Sequence, residues 1–293
     1  MTDASDRAGS IRETVRVNDG EMAVLHWPAP SRPRLVFAHA NGFCASAARR
    51  MLAGLADKFD IIAPDLRGHG RTRLPADPAT LTCWSVHADD LLALCAALDR
   101  PPDYLAGHSM GASSMLLAAS RMADAPPLAL IEPVVLPGLA ARAARTPLWA
   151  LFKRSMAISK TARKRTNAWP DRAAVRARYG DKANFARWAP GVLDDYLADG
   201  LEETGDAVRL ACDPAWEAAN YEAQAHDLMD AMRRVRAAVR ICKAEHGSTV
   251  LNQAGLVRRG AQVEMMDGAG HLAVMEQPER IAAWISTGFR ETE

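Results

Sequence analysis

The sequence of 293 residues lacks a long hydrophobic run and has almost no net charge. No stretch is long enough and apolar enough to span a bilayer, and the polar N-terminal segment Met1 to Glu13 has no apolar signal core. The formal net charge of +1 creates no global field that favours nucleic acid or a membrane. We therefore expect a cytoplasmic protein without nucleic acid or a membrane as a partner.

Cysteine is also scarce. The five cysteines are odd in number and scattered, and no two of them form a C-x-x-C pair. This spacing indicates reduced thiols in a cytosolic protein, and it argues against both a disulfide framework and a zinc site.

Short apolar or β-branched runs alternate with alanine- and leucine-rich helical patterns between about residues 20 and 135. Alternation of this kind predicts an α/β fold, a mostly parallel sheet with helices on both faces. The predicted strands are Met22 to Trp27, Arg34 to Ala38, Asp60 to Ala63, Tyr104 to Ala106, Leu128 to Ile131, Val239 to Cys242 and Gln262 to Met266.

Between about Pro137 and Arg234 the composition is helical and strand candidates are few. We interpret residues 137–234 as a helical cap inserted after the strand Leu128 to Ile131. Residues 1–136 and 235–293 then form the core domain. Residues 137–180 hold eleven Lys or Arg and one acid, whereas residues 181–230 hold twelve Asp or Glu and three bases. This division favours two halves that pack against each other over a basic site for an anionic substrate or nucleic acid.

The run Gly107-His108-Ser109-Met110-Gly111 stands where an apolar strand gives way to a helix of small residues. A serine on so tight a turn takes a strained conformation with its hydroxyl exposed, and the two glycines let neighbouring elements approach closely. Free N–H groups at the helix N-terminus favour a developing negative charge. The context predicts that Ser109 is a nucleophile.

A second motif, His39-Ala40-Asn41-Gly42-Phe43, follows a predicted strand at the sheet edge where Ser109 is expected. We predict that the backbone N–H groups of Asn41 and Met110 form an oxyanion hole there. His39 is interpreted as a structural histidine that braces the loop. Phe43 and His108 are the predicted substrate contacts.

The predicted general base is His271, in the run Gly268-Ala269-Gly270-His271 that follows the last predicted strand. A serine hydroxyl is a weak nucleophile at its free pKa and needs a neighbouring imidazole to take its proton. A glycine-rich turn lets the histidine project across the sheet edge toward the serine.

Together these segments resemble the α/β-hydrolase fold superfamily, and within it the serine hydrolases that carry a cap domain. The matching residues are His39 to Phe43, Pro64-Asp65-Leu66-Arg67-Gly68-His69-Gly70-Arg71-Thr72, Gly107 to Gly111, and Gly268 to His271. The resemblance implies an eight-stranded sheet, the chain order serine, acid, histidine, and an active site roofed by the cap. The Pro64 to Thr72 loop is common in the family and usually structural.

The acid has two candidates. In most members of the family an aspartate follows the strand placed here at Val239 to Cys242, but that stretch reads Lys243-Ala244-Glu245-His246-Gly247-Ser248. Glu245 stands one or two residues before the expected position. A subset that includes haloalkane dehalogenases places the acid after the sixth strand, where this chain has Glu132. We favour Glu132 and keep Glu245 as the alternative.

A serine in the turn Gly107 to Gly111 implies a serine hydrolase that cleaves an ester or similar acyl substrate through an acyl-enzyme, with no metal or organic cofactor. Haloalkane dehalogenases and epoxide hydrolases carry an aspartate there. Carbon–carbon bond hydrolysis and cofactor-free haloperoxidase chemistry use the same three groups, and receptor-like binding proteins share the fold. The aromatic residues of the predicted cap favour an apolar or aromatic acyl group: Trp149, Trp169, Tyr179, Trp188, Tyr196, Trp216 and Tyr221.

Overall fold

The structure, a computed structural model, describes residues 9–18, 20–147, 149–153, 156–182 and 185–290. The first eight residues, part of the polar N-terminal segment, lie outside the described residues. The strands are β1 (Ile11–Val17), β2 (Gly20–Trp27), β3 (Arg34–Ala38), β4 (Asp60–Pro64), β5 (Tyr104–His108), β6 (Leu128–Ile131), β7 (Leu201–Thr204), β8 (Ala207–Leu210), β9 (Val239–His246) and β10 (Gln262–Gly270). The helices are α1 (Arg49–Ala53), α2 (Ser85–Ala97), α3 (Met110–Ala119), α4 (Gly138–Ala143), α5 (Trp149–Lys153), α6 (Ala157–Arg163), α7 (Arg172–Gly180), α8 (Val192–Asp199), α9 (Pro214–Glu222), α10 (Leu228–Arg234), α11 (Gln253–Val257), α12 (Ala273–Glu276) and α13 (Pro278–Arg290).

Eight strands form one sheet in the order β1-β2-β4-β3-β5-β6-β9-β10. The pairs β1–β2 and β2–β4 are antiparallel, and every other neighbouring pair is parallel. The prediction of a mostly parallel, eight-stranded α/β sheet is confirmed. Of these strands, β1 was not predicted. Its arginines and glutamate interrupt the pattern of alternating apolar residues formed by Ile11, Val15 and Val17.

Alternate residues of the central strands pack on opposite faces of the sheet. In β3, Leu35 and Phe37 join one apolar core with α1 and α13, whereas Val36 and Ala38 join a second core with α2 and α3. Because helices cover both faces, β3 to β6 are buried along their whole length. The two cores hold the parallel strands in a fixed register, so the loops at their carboxyl ends start from a rigid base.

The carboxyl ends of four parallel strands bring the predicted site residues to one edge of the sheet. The loop 39–43 follows β3, Ser109 follows β5, Glu132 follows β6 and His271 follows β10. Since β3, β5 and β6 are consecutive in the sheet, the first three lie side by side. This edge is where open α/β sheets bind their ligands.

The segment 137–234, hereafter the inserted segment, connects β6 to β9. Its described residues form the helices α4 to α10 and a two-stranded hairpin of β7 and β8. The hairpin was not predicted, because its strands are short and partly acidic. A signal was present in the two-residue turn Gly205-Asp206, where Gly205 has a φ of 61°. Division of the chain into core and cap domains stays a prediction.

Ion pairs join the basic first half of the inserted segment to its acidic second half, as the charge division predicts. Exposed pairs each stabilise a protein by less than about 1 kcal/mol, so their effect here is mainly to orient the helices. The pair between Arg165 and Glu217 is the most buried of them. The pairs are Arg145–Asp227, Arg163–Glu222, Arg165–Glu217, Arg172–Glu203 and Arg176–Asp194.

A buried ionic network fixes α8 of the inserted segment to the core. Asp199 at the end of α8 pairs with Arg12 of β1 and with Arg71, whose Nε lies 2.6 Å from its carboxylate. Arg12 also lies 2.9 Å from Asp65 in the loop after β4. Buried pairs offset their own desolvation cost only where the geometry is good. The network therefore sets where α8 lies and adds little net stability.

Five of the eight histidines are buried in the fold: His39, His69, His87, His108 and His226. Burial lowers the pKa of each of them, to about 4 for His87 and His226 and to about 3 for His108. The folded protein therefore keeps these imidazoles neutral at a pH where the same side chains in the unfolded chain are protonated.

We predict that the protein loses stability as the pH falls below about 6.5, the histidine pKa of an unfolded chain. Below that value the unfolded chain binds protons that the folded chain excludes until its own lower pKa is reached. For His87, His108 and His226, whose pKa in the folded chain is about 3 to 4, the free energy of unfolding falls by about 2 kcal/mol each between about pH 7 and pH 5. Urea unfolding at the two pH values measures the difference. A free energy of unfolding that is equal or higher at the lower pH would contradict the prediction.

Candidate active site

Ser109 occupies the strained turn that the run Gly107 to Gly111 predicts. Its φ of 55° and ψ of −116° are unusual for a residue with a side chain. Its N–H donates to the Ile131 carbonyl at 2.9 Å, and its own carbonyl accepts the Ser113 N–H at 3.0 Å. Glycine is needed at Gly111, where a Cβ would lie 2.3 Å from the carbonyl oxygen of Ala38.

Ser109, His271 and Glu132 form one hydrogen-bonded chain. The serine Oγ lies 3.0 Å from Nε2 of His271, and Nδ1 of His271 lies 2.9 Å from Oε2 of Glu132. In the neutral tautomer that fits both contacts, Nδ1–H donates to the carboxylate and Nε2 accepts the serine hydroxyl. An imidazole in this geometry is able to take the hydroxyl proton.

Glu132 is fully buried and has a φ of 51°. Its Oε1 accepts the Ala244 N–H at 2.7 Å and the Ser248 hydroxyl at 2.6 Å, and its Oε2 accepts the Thr249 N–H at 2.8 Å. Burial acts to raise the pKa of this carboxyl, but the hydrogen bonds from His271 and these three donors lower it further than burial raises it. The pKa of Glu132 is thus lowered, and the group is held as a carboxylate.

Glu245, the alternative acid, lies away from His271. Its Oε2 accepts the Gly268 N–H at 2.7 Å, and its side chain is 43% exposed. The strand β9 was predicted to end at Cys242 but continues to His246, so Glu245 belongs to the strand and not to the loop after it. Of the two candidates, the structure brings Glu132 to the histidine.

Two neutral histidines hold the loop 39–43 by hydrogen bonds to backbone groups. Each donates its Nδ1–H to a nearby backbone carbonyl, which leaves Nε2 as an acceptor. Nε2 of His39 accepts the Leu66 N–H at 2.9 Å, and Nε2 of His69 accepts the Gly42 N–H at 3.0 Å. His39 therefore has the structural contacts that the sequence predicts. His69 stands in the Pro64 to Thr72 run, and its contacts are structural, as the resemblance implies for that loop.

Asn41 lies in the loop after β3, and Met110 directly follows Ser109. Met110 is the first residue of α3, so its N–H has no acceptor within the helix. The side chain of Asn41 is engaged by the inserted segment, since its amide N–H donates to the Glu217 carbonyl at 3.0 Å. Their backbone N–H groups stay the predicted oxyanion donors.

Comparison with known proteins agrees with this architecture. A model of the alpha/beta hydrolase family matches residues 35–284. The chain belongs to this family. Within it, the chain is 32% identical over 124 residues to the 2-(acetamidomethylene)succinate hydrolase of Mesorhizobium japonicum. These residues are 42% of this chain and 44% of the relative. It is 28% identical over 101 residues to the 3-oxoadipate enol-lactonase 2 of Acinetobacter baylyi, 34% of this chain and 37% of the relative.

These alignments span less than half the length of either curated relative. Over the whole fold, the crystal structure of E-2-(acetamidomethylene)succinate hydrolase has a TM-score of 0.75 at 23% identity, covering 95% of this chain and 98% of that one. At this level of identity the likeness shows the fold alone. The chain is thus a hydrolase-family member whose substrate the comparisons leave open.

In this hydrolase-family chain, Tyr196 of α8 in the inserted segment contacts the loop 39–43. Its hydroxyl donates to the Gly42 carbonyl at 3.3 Å, and its ring centroid lies 5.4 Å from that of Phe43. Gly42 is therefore fixed at its N–H by His69 and at its carbonyl by Tyr196. No local motif marks Tyr196, because its partner is distant in the chain.

The two predicted substrate contacts differ in their surroundings. Phe43 is half-buried and packs against aromatic rings of the inserted segment. His108 is buried, which lowers its pKa to about 3, and its Nε2–H donates to the His271 carbonyl at 2.8 Å. The contact that the structure gives His108 supports the backbone of His271, and the substrate contacts of Phe43 and His108 stay predictions.

The described residues contain no group of three His, Cys, Asp or Glu side chains that could hold a metal ion. All five cysteines are free thiols. Over the same described ranges, no helix combines the length and the apolar character that crossing a membrane requires.

Proposed function

We propose that this chain is a serine hydrolase that cleaves a carboxylic ester or a similar acyl substrate. The observation that supports the proposal most directly is the hydrogen-bonded chain from Ser109 through His271 to Glu132, with distances of 3.0 and 2.9 Å. The strained backbone of Ser109 at the start of α3 adds to this support.

In the proposed reaction, Oγ of Ser109 attacks the acyl carbon while Nε2 of His271 takes the hydroxyl proton. The imidazolium then gives this proton to the leaving alcohol, and the acyl group stays on Ser109 as an ester. A water molecule, deprotonated by the same imidazole, releases the acid and restores the serine. Glu132 orients the imidazole and stabilises its positive charge without taking the proton. The Asn41 and Met110 N–H groups stabilise the oxyanion.

The name of one relative, an enol-lactonase, describes the opening of an internal ester, which favours ester cleavage. Carbon–carbon bond hydrolysis and cofactor-free haloperoxidase chemistry are alternatives that use the same side chains. A receptor-like binding protein is an alternative of another class. The complete chain of hydrogen bonds at Ser109 favours turnover over binding alone, because a binding protein has no need of an oriented base. Aromatic rings around Phe43 favour an apolar or aromatic acyl group.

We predict that Glu132→Gln lowers kcat for ester hydrolysis on the order of ten-thousand-fold, because the amide no longer stabilises the imidazolium or fixes its tautomer. Glu245→Gln, the same change at the other candidate acid, leaves kcat within a few-fold of wild type, since that side chain contacts the Gly268 N–H. Steady-state kinetics with p-nitrophenyl esters of short and medium acyl chains measure both.

A loss confined to Glu245→Gln would assign the acid to Glu245 near the end of β9 and overturn the role of Glu132. A folded wild-type protein that turns over none of the esters would refute the proposed reaction. Labelling by a fluorophosphonate without any ester turnover would favour the binding protein.

We also predict that Tyr196→Phe lowers kcat about tenfold with little change in KM. Loss of the hydroxyl frees the Gly42 carbonyl and loosens the loop that carries Asn41, an effect smaller than the loss of an oxyanion donor itself. Tyr104→Phe is the matched control, because the Tyr104 hydroxyl donates to the Phe289 carbonyl at the same distance of 3.3 Å. This control lies at the far end of β5 and should lose stability without losing kcat. Equal effects of both variants on kcat would contradict the prediction.

A further inference from the structure

The inserted segment carries a buried polar group that has no partner among the described residues. The indole N–H of Trp188 has no hydrogen-bond acceptor in the part of the chain that the structure describes, and the side chain is only 8% exposed. Folded proteins normally satisfy buried donors, because an unmade hydrogen bond carries the full desolvation cost of the group. Where such a donor lies next to a site for a small molecule, it is available to an acceptor on the bound ligand.

Trp188 lies between the two loops that carry the proposed chemistry. On one side, its ring centroid is 5.7 Å from that of Phe43, at the end of the loop 39–43. On the other side, the next residue, Ala189, donates its N–H to the carbonyl of Met275 at 2.9 Å. Met275 belongs to α12, the helix that follows His271. Trp188 thus lies next to the loop 39–43 and to the helix that follows His271.

The rings around the indole are aromatic and uncharged. The Phe185 and Tyr196 ring centroids lie 4.7 and 6.1 Å from that of Trp188. Two nearby cations of the inserted segment are engaged elsewhere, since Arg165 pairs with Glu217 and Lys182 lies over the Tyr179 ring at 4.6 Å. A charged acceptor at the indole would lose its hydration without gaining a counter-charge in contact with it, whereas a neutral oxygen needs only the one donor. These surroundings favour an uncharged acceptor.

We propose that Trp188 is a specificity-determining residue whose indole N–H donates to an uncharged oxygen, of a ketone, ether or amide, on the acyl part of the substrate. The leaving oxygen must lie beside His271 to receive its proton, whereas the indole ring contacts Phe43, so the acceptor belongs to the acyl side. The inference rests on the proposed ester hydrolysis at Ser109. The substrate class is then an apolar or aromatic acyl ester that carries one oxygen acceptor.

The test uses p-nitrophenyl esters in matched pairs. One member has a hydrocarbon acyl chain, and in the other member one methylene of that acyl chain is replaced by an ether oxygen. The position of the oxygen along the acyl chain differs from pair to pair. Trp188→Phe keeps an aromatic ring and removes the N–H. We expect kcat/KM of this variant to fall about five- to tenfold more for one oxygen-bearing ester than for its hydrocarbon match. Each variant value is divided by the wild-type value for the same ester, which cancels differences in intrinsic reactivity.

Trp284→Phe is the matched control. Trp284 is also 8% exposed and its indole N–H also lacks an acceptor among the described residues. It lies on α13, with the Arg240 guanidinium over its ring at 4.6 Å, on the face of the sheet and not at the site. Trp284→Phe should therefore change both members of every pair equally.

An equal fall for both members of every pair in Trp188→Phe would overturn the inference and leave the proposed function standing. One further pair compares an acyl chain that ends in a carboxylate with its hydrocarbon match, and a selective fall confined to that pair would overturn the uncharged class of acceptor. A wild-type enzyme without turnover of any ester would refute the proposed function, and this inference with it.

Discussion

The buried carboxylate of Glu132 is the group on which the geometry of the candidate site depends. It accepts hydrogen bonds from the backbone of Ala244 in β9, from Ser248 and Thr249 in the following loop, and from His271 after β10. A charge with no exposure to water is tolerable only when its lone pairs are filled in this way. The same contacts that keep Glu132 ionised therefore also tie three separate stretches of chain to the end of β6.

A second constraint comes from the inserted segment. It contacts the loop 39–43 through Tyr196 and through the Glu217 carbonyl, which accepts the Asn41 side-chain N–H. The Asp199 network then fixes α8 to β1 and to the loop after β4. Because the loop beside Ser109 is held from both sides, the position of the inserted segment and the geometry of the proposed oxyanion hole are physically coupled.

Much of the fold and part of the site could be predicted from the sequence, wherever the signal is local. Buried parallel strands read as short apolar runs, and the turns at Ser109 and His271 carry glycines at fixed offsets from a strand. The choice between Glu132 and Glu245 depended on where β9 ends, and strand ends are poorly marked in sequence. His69 and Tyr196 hold the loop 39–43 through contacts with residues distant in the chain, which no local pattern encodes.

The central claim is that an acyl group passes through Ser109. The most direct measurement is rapid mixing of the enzyme with a p-nitrophenyl ester, acid quenching, and mass spectrometry of the intact protein and of its peptides. The account predicts a mass increase equal to the acyl group, located on the peptide that contains Ser109 and absent from Ser109→Ala, which also loses turnover by roughly six orders of magnitude. An acyl group on another residue, or wild-type turnover by Ser109→Ala, would contradict it.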